Sequence, residues 1–158
     1  MLWVRGIVFT ILVPFMAGIE IPRGMLNGAR PATGWWQAGW LLFGVGVLLY
    51  GWCLVLFLLS GGTPNIFFAR HLGFLIGTEP GQVVRRGPYR FSRNPMYVAV
   101  LSVILAQACV YRSRAVMTYW LSAWCVFHLV VVLLEEPHLR RVRPDYEQYF
   151  RTVPRYLG

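Results

Sequence analysis

Two adjacent carboxylates, Glu135 and Glu136, close a long apolar run in a chain that has only six acidic residues. Pro137 follows them and is expected to interrupt the helix. Carboxylates at the end of so apolar a run are costly, so they are candidates to bind a cationic ligand group or to accept a proton from a nucleophile. The alternative is a simple ion pair between Glu136 and Arg140, four residues apart on an interfacial helix.

A second segment with chemical potential begins at position 86 and reads Arg-Gly-Pro-Tyr-Arg-Phe-Ser-Arg-Asn-Pro-Met-Tyr. Asn94 is a favourable N-cap and Pro95 suits the first helical position, so a helix should begin here with unpaired backbone N–H groups. With Arg93 beside it, such an end could bind a carboxylate, while Tyr89 or Tyr97 offers a ring face or a hydroxyl. A capped helix with interfacial Arg and Tyr anchors is the alternative that needs no ligand.

Near the C-terminus, Pro144 followed by two acidic residues predicts a short helix. Tyr146, Tyr149 and Phe150 share one face of that helix because they are spaced i, i+3, i+4. This aromatic stripe could lie on the membrane interface, or it could fold back as the lid of a ligand pocket. The spacing does not decide between the two.

The elements that must position these groups are helices, because the composition is that of a membrane protein. Of the 158 residues, 57% are hydrophobic and 13% are charged, and the mean hydropathy is +0.53. The sequence predicts an all-α, polytopic membrane protein with about four transmembrane helices, at 6–19, 35–59, 94–111 and 115–134. The first is short and spans the bilayer only if Arg5 extends to the interface, and a cleaved signal peptide is the alternative.

The arginines predict the orientation. All fifteen basic residues are arginine, and the net charge is +9. With four helices and both termini inside, eleven arginines face the cytoplasm and four face the other side, as the positive-inside rule requires. The arginine-rich segments 70–93 and 135–158 then meet on the cytoplasmic face of a single domain, 1–158, in an inner or plasma membrane. Because no nucleic-acid-binding module can be read, we expect membrane lipids and not nucleic acid as partners.

The cysteines do not indicate a metal or disulfide protein. Cys53, Cys109 and Cys125 each lie inside an apolar run, without a CxxC spacing or a histidine cluster. They are interpreted as small buried hydrophobic residues. Neither a disulfide framework nor a metal site is expected.

Taken in order, Gly-Pro-Tyr-Arg, Arg-Asn-Pro-Met-Tyr, a span of two helices, Glu-Glu-Pro, Tyr-x-x-Tyr and Val-Pro-Arg resemble the isoprenylcysteine carboxyl methyltransferase and phospholipid methyltransferase superfamily. The resemblance covers 62–158 and includes the Gly-Thr-Pro at 62–64. The first two helices match only in being hydrophobic. Each motif alone is common, but the ordered set is specific.

The resemblance implies a methyltransferase whose C-terminal part wraps S-adenosylmethionine on the cytoplasmic side and releases S-adenosylhomocysteine, without a metal. It also implies a lipophilic acceptor that enters laterally from the bilayer. The residues implied to line the cofactor pocket are Tyr89, Arg93, Asn94, Pro95, Tyr97, Glu136, Tyr146 and Tyr149. Glu135 and Arg140 would lie nearer the reacting centre as the catalytic residues.

Two departures from the superfamily pattern stand beside these implications. Asn94 occupies a position that is His in many relatives, and Val142-Arg143 replaces a usual Phe-Gly, with a shorter interval before Tyr146. The acceptor could be a lipid amine, a prenylated thiol or carboxylate, or a small hydrophobic metabolite, and the oligomeric state stays open. The alternatives are an NADPH-dependent reductase of the membrane steroid-reductase type and a non-enzymatic membrane scaffold.

Overall fold

The computed structural model describes residues 4, 7, 8, 11–32, 34, 36–62 and 83–156. Within these ranges every regular element is a helix, which confirms the all-α prediction. Of the Gly-Thr-Pro at 62–64, only Gly62 lies among the described residues. Arg5 and Arg70, which the orientation argument uses, also lie outside them.

The helices follow one another in a simple order. A π-helical segment, Ile11–Glu20, leads into the first α-helix, and a 3-10 turn, Gly87–Arg90, precedes the third. A second π-helical segment, Val131–Glu135, joins the fourth helix to the fifth. The α-helices are α1 (Ile21–Leu26), α2 (Trp36–Leu59), α3 (Pro95–Tyr111), α4 (Arg114–Val130), α5 (Glu136–Val142) and α6 (Tyr146–Thr152).

Two of the helical stretches are long and apolar enough to cross a membrane. They are Trp36–Leu59 and the continuous run Arg114–Val142. The most apolar 18-residue windows of these two stretches have mean hydropathies of 2.4 and 1.9. In each, only 17% of the most apolar window is buried inside the protein. Helices that are apolar all round and so little covered need lipid as their solvent. Two of the four expected spans thus have the required length, whereas α3 has 17 residues and the first π-helical segment has ten.

The exposed faces of these helices correct the prediction for the cysteines. Cys53 is fully buried, as expected, but Cys109 and Cys125 are exposed on the outer surfaces of α3 and α4. All three are free thiols. An apolar run in lipid hides a small side chain from water without burying it in protein, so the sequence did not separate the two cases.

Small residues bring α2 and α3 together. Gly39, Gly46 and Cys53 recur every seven residues on the buried face of α2. A Cβ atom at Gly39 would lie 2.4 Å from Val110 Cγ2, and one at Gly46 would lie 2.8 Å from Val103 Cγ2. Glycine at these positions lets the two backbones approach closely, which is how helices associate in membranes. We call this contact the α2–α3 seam.

Pro137 does not interrupt its helix, contrary to the expectation from the sequence. The backbone N–H of Glu136 donates to the carbonyl of Val131, five residues earlier, which is the hydrogen bond of a π-helical turn. Proline lacks an N–H and its ring crowds the carbonyl four residues before it, and a wider turn relieves both conflicts. Because α4 continues into α5 in this way, both carboxylates lie on one unbroken helix.

The N-terminal segment packs against α3 and α4 through two polar side chains. The buried Gln107 donates from Nε2 to the carbonyl of Gly18 at 2.6 Å, and the Tyr119 hydroxyl donates to the carbonyl of Ala17 at 3.0 Å. The buried Gln107 amide and the partly buried Tyr119 hydroxyl are thus paired, which avoids the cost of an unsatisfied polar group in an apolar setting.

Candidate functional site

Glu136 lies at the centre of a buried ionic cluster. Arg155 donates to it in bidentate fashion, with Nε 2.8 Å from Oε1 and Nη2 2.9 Å from Oε2. Arg93 Nη1 lies 3.0 Å from the same Oε1, and the Arg93 and Glu136 side chains are only 6% and 7% exposed. We call these three residues the arginine–glutamate cluster. The alternative of a Glu136–Arg140 pair is wrong, because Glu136 faces these two arginines.

Arg93 has hydrogen-bonding capacity left over. Its Nε and Nη1 are buried, and neither makes a hydrogen bond to any residue that the structure describes. The approach of Nη1 to Glu136 is an ionic contact without hydrogen-bond alignment. The guanidinium also lies 4.2 Å from the centre of the Phe150 ring. Buried, charged donors without acceptors are costly, so they mark a place where an anionic group would be favourable.

Asn94 ties the C-terminal tail to the start of α3 and does not cap the helix. The helix begins one residue later, as predicted, but the Asn94 side chain makes no cap hydrogen bond. Its Nδ2 donates to the carbonyl of Arg155 at 3.0 Å, and its backbone N–H donates to Ser92 Oγ at 3.1 Å. The backbone N–H of Arg93 donates to the carbonyl of Pro154 at 2.9 Å. The Asn94 side chain is thus used as a donor to the tail, and it accepts no hydrogen bond from the first turn of α3.

The aromatic stripe of α6 faces the protein interior. Tyr146 and Tyr149 are 3% and 4% exposed. The Tyr149 hydroxyl donates to the carbonyl of Tyr89 at 2.7 Å and approaches that of Ser92 at 3.3 Å. Burial raises the pKa of Tyr149, and burial also raises that of Tyr89, so both hydroxyls stay protonated at neutral pH. Of the two uses left open for the stripe, folding back onto the site is therefore the one observed.

Val142 is the last residue of α5, and Arg143 begins the connection to α6. The backbone N–H of Arg143 donates to the carbonyl of Leu139 at 2.8 Å, and that of Tyr146 donates to the carbonyl of Arg143 at 3.0 Å. Arg143 has an extended backbone that ends α5. The short connection therefore delivers Tyr146 directly to Arg93, to which it is hydrogen-bonded.

Glu135 points away from Glu136 and toward α3. The Tyr97 hydroxyl donates to Glu135 Oε1 at 2.6 Å, and the Tyr97 ring lies 4.9 Å from that of Phe127. Consecutive residues of a helix are separated by about 100° around its axis, so neighbouring carboxylates face different partners. The two acids thus form two separate polar contacts, one with α3 and one with the tail.

Arg140 and Pro95 contact residues outside the arginine–glutamate cluster. Arg140 donates to the exposed Glu147 at 2.9 and 3.2 Å, and its guanidinium lies 4.4 Å from the centre of the Phe150 ring. Its side chain is directed to Glu147 and Phe150 and not to Glu135, the other residue expected near the reacting centre. Pro95 is buried at the first position of α3, where it lines a groove against α2.

Two residues of the site were not among the sequence-based candidates. Arg155 provides the bidentate contact to Glu136, and Phe150 lies between Arg93 and Arg140. In the sequence, the Val-Pro-Arg motif could have indicated Arg155, and the aromatic stripe of α6 could have indicated Phe150. In the part of the chain that the structure describes, no group of three or more His, Cys, Asp or Glu side chains could hold a metal ion.

Comparison with known proteins adds one decisive match. A family model described as phospholipid methyltransferase matches residues 37–145, well over half of the chain. The chain belongs to the phospholipid methyltransferase family. Searches of the curated proteins and of the solved structures found no match.

Membership in the phospholipid methyltransferase family confirms the resemblance drawn from the ordered motifs. Together with the two long apolar helices, it makes the chain an integral membrane methyltransferase. The matched range contains both carboxylates and ends just before Tyr146, so α6 and the tail with Arg155 lie beyond it.

Proposed function

We propose that the chain transfers a methyl group from S-adenosylmethionine to a lipophilic acceptor at the cytoplasmic face of the membrane. The observation that carries this proposal is the buried Arg93, whose Nε and Nη1 lack hydrogen-bond acceptors among the described residues. Family membership supplies the reaction class.

The charges of the cluster fit the amino-acid end of S-adenosylmethionine. Two guanidinium groups face one carboxylate, so Arg93, Arg155 and Glu136 together carry one excess positive charge. A carboxylate placed beside Arg93 would neutralise this charge and pair the two open donors. When bound, S-adenosylmethionine would supply an electrophilic methyl group.

The chain's own residues would then bind, orient and exclude water. Glu136 holds Arg93 and Arg155 in place, and the tail that Asn94 anchors covers the cluster. Methyl transfer needs an acceptor lone pair in line with the S–CH₃ bond, so orientation and water exclusion count for more than covalent chemistry. Tyr89, Tyr146 and Tyr149 support this arrangement from the interior side.

Proton movement is assigned to the contact between Glu135 and Tyr97. An amine or thiol acceptor loses a proton as it is methylated, and a carboxylate at membrane depth is a suitable recipient. Tyr97 orients Glu135 through its 2.6 Å hydrogen bond to Oε1. Arg140 is proposed to act indirectly, because its guanidinium and that of Arg93 both contact the Phe150 ring.

The arginines support a cytoplasmic site. The backbone N–H of Ala32 donates to the carbonyl of Val110, which places the chain near Arg30 at the same end of α3 as Arg112. The arginine–glutamate cluster, the arginines between 85 and 93 and those between 140 and 155 lie at the opposite, more basic end. By the positive-inside rule that end faces the cytoplasm, which agrees with both termini inside and an inner or plasma membrane.

Among the acceptors considered, the family description favours a phospholipid amine over a prenylated residue or a small metabolite. The test is methyl transfer from radiolabelled S-adenosylmethionine into phosphatidylcholine vesicles, with and without phosphatidylethanolamine. Incorporation that depends on phosphatidylethanolamine supports the lipid amine. Incorporation only with an added prenylated peptide or a small hydrophobic amine moves the assignment to that class.

The cofactor is tested by calorimetry on the purified chain. We expect S-adenosylmethionine and S-adenosylhomocysteine to bind and NADPH not to bind. The Glu20→Gln variant, which changes a half-exposed glutamate paired with Arg23, serves as the matched control and should bind both ligands normally. Binding of NADPH alone would favour the reductase, and binding of none of the three would favour a scaffold.

A further inference from the structure

A groove of about 510 Å³ lies between α2 and the segment that leads into α3. Its apolar walls include Leu49 and Trp52 of α2 and Val98 of α3, and Arg90 and Phe91 lie on its other side. This volume falls in the range of about 300–1,000 Å³ typical of small-molecule sites. The groove is separate from the contact between Tyr97 and Glu135, which α3 makes with the helix on its other side.

Gly87 shapes the floor of the groove. Its φ is +58°, and a Cβ atom there would lie 2.8 Å from Leu56 Cδ1 and 3.2 Å from the Trp52 ring. A side chain is therefore excluded on both counts, and the 3-10 turn rests with its backbone directly on α2. The turn thereby holds Arg90 and Phe91 at the open side of the groove.

The groove opens outward, where a membrane-spanning helix meets lipid. Trp52 is 57% exposed and Phe91 is 70% exposed, so a large aromatic surface is left uncovered. Trp52 lies seven residues before the end of α2, about 10 Å along the helix axis. Exposed tryptophan near the end of a span is typical of the head-group region of a bilayer.

The charge at the groove is positive and unbalanced. Arg90 is exposed and forms no ion pair with the residues that the structure describes, and none of the described residues that line the groove is acidic. Apolar walls with a single guanidinium at the opening match a molecule that has a hydrocarbon chain and an anionic group at one end. In a bilayer that molecule is a phospholipid.

We infer that this groove binds a membrane phospholipid at a site separate from the reacting centre. One acyl chain lies against Leu49, Trp52 and Val98, and the phosphate pairs with the Arg90 guanidinium. Because α3 stands between this groove and Glu135, the lipid held here is not the methyl acceptor. The site is independent of the identity of the cofactor.

The test uses the full chain in phosphatidylcholine vesicles that contain a phosphatidylglycerol with a photoactivatable diazirine on its acyl chain. After irradiation, the labelled peptides are mapped by mass spectrometry. We expect labelling to concentrate on the peptides that carry Trp52 and Val98. Arg90→Gln should lower this labelling about fivefold, the effect of about 1 kcal/mol for one arginine near an anionic lipid surface.

Two further variants make the result interpretable. Arg23→Gln removes an exposed arginine at the other end of the helices and should leave the labelling unchanged. Val98→Trp fills the groove and should abolish labelling there, with circular dichroism to check that the helices are intact. Labelling spread evenly over the outer faces of α2 and α4, or groove labelling insensitive to Arg90→Gln, would overturn the inference.

Discussion

The α2–α3 seam and the arginine–glutamate cluster bury their residues by opposite means. At the seam, Gly39 and Gly46 remove side chains so that two apolar backbones meet. At the cluster, Glu136 holds two arginines together in a region that α6 and the tail cover. The seam buries no charged side chain, whereas the cluster joins three charged groups, two of them buried, whose charges do not sum to zero.

This difference separates the requirements of the fold from those of the site. The seam is a packing contact, so its substitutions should change stability in proportion to the volume they add. The cluster is a network of charges, in which removal of one member leaves the others buried without compensation. Substitutions in the cluster should weaken ligand binding more than they destabilise the fold, because the cluster lies at one end of the molecule.

The largest effect is expected for Glu136→Gln. The neutral amide leaves Arg93 and Arg155 without their carboxylate, and breaking a fully buried ion pair costs about 3–5 kcal/mol. Arg155 is 31% exposed, which places the cost at the lower end. We expect turnover and S-adenosylmethionine binding to fall at least about a hundredfold, the equivalent of about 2.7 kcal/mol. Calorimetry and a methyl-transfer assay measure both.

Circular dichroism on the same Glu136→Gln sample should show the helix content retained, since the two long helices do not depend on the cluster. Glu20→Gln is the control and should keep full activity. Undiminished activity of Glu136→Gln would remove Glu136 from the site. Loss of helix content would mean that the fold itself depends on the arginine–glutamate cluster.

At the seam, Gly46→Ala and Gly44→Ala form a matched pair on the same helix. A Cβ atom at Gly46 would lie 2.8 Å from Val103 Cγ2 and 3.0 Å from the carbonyl oxygen of Ala99, whereas one at Gly44 meets nothing within 4 Å. Overpacking costs about 1–3 kcal/mol, and replacing glycine inside a helix gains up to about 1 kcal/mol. Thermal unfolding in detergent should therefore show a lower midpoint for Gly46→Ala and an equal or higher one for Gly44→Ala. Equal midpoints would mean that the seam adjusts to the added methyl group.

Asn94 gives a smaller effect that separates two roles for one residue. As a helix cap it would tolerate aspartate, which caps equally well. As the donor to the Arg155 carbonyl it cannot, because a carboxylate would face that oxygen without a proton to share. We expect Asn94→Ala to cost about 1 kcal/mol and Asn94→Asp to cost more.

Hydrogen exchange of residues 153–156 measures the Asn94 effect, since these residues should exchange faster when the tail is released. The order of the two variants is the decisive result. An Asn94→Asp variant with wild-type exchange would restore the capping role and remove the anchor.

Much of this could be predicted from the sequence, because local signals carry it. The start of α3 follows from Asn94-Pro95, the stripe of α6 follows from its spacing, and the apolar runs predict the two long helices. The ordered motifs gave the superfamily, which the family match confirms. These are properties of neighbouring residues, and neighbours in sequence constrain one another strongly.

What escaped prediction depends on contacts between distant residues. The partner of Glu136 is Arg155, nineteen residues away, and the amide of Asn94 finds a carbonyl sixty-one residues away. The continuity of the helix through Pro137 depends on a π-helical turn that no single residue announces. A spacing of four residues offered Arg140 as an alternative partner for Glu136, but the folded tail provides Arg155.

The smallest effect is expected for the surface ion pairs that Glu147 forms with Arg140 and Arg151. Hydrogen bonds from Arg140 and then from Arg151 lower the pKa of Glu147. Because the folded pKa is below the unfolded value of about 4.3, this contribution to stability is present above that pH and is lost as the pH falls through the folded pKa. The melting temperature of Glu147→Gln should therefore be slightly lower than that of the wild type at pH 7. The difference in melting temperature should vanish in acid.

A pH series of melting curves for the wild type and Glu147→Gln checks this. Glu147 lies 41% exposed with both arginines on the surface, so the difference at pH 7 should be far smaller than that for Glu136→Gln. A difference that persists unchanged below the unfolded pKa would show that Glu147 contributes through packing and not through charge. A difference in melting temperature as large as that of Glu136→Gln would mean that the Glu147 ion pairs and the arginine–glutamate cluster act as one network.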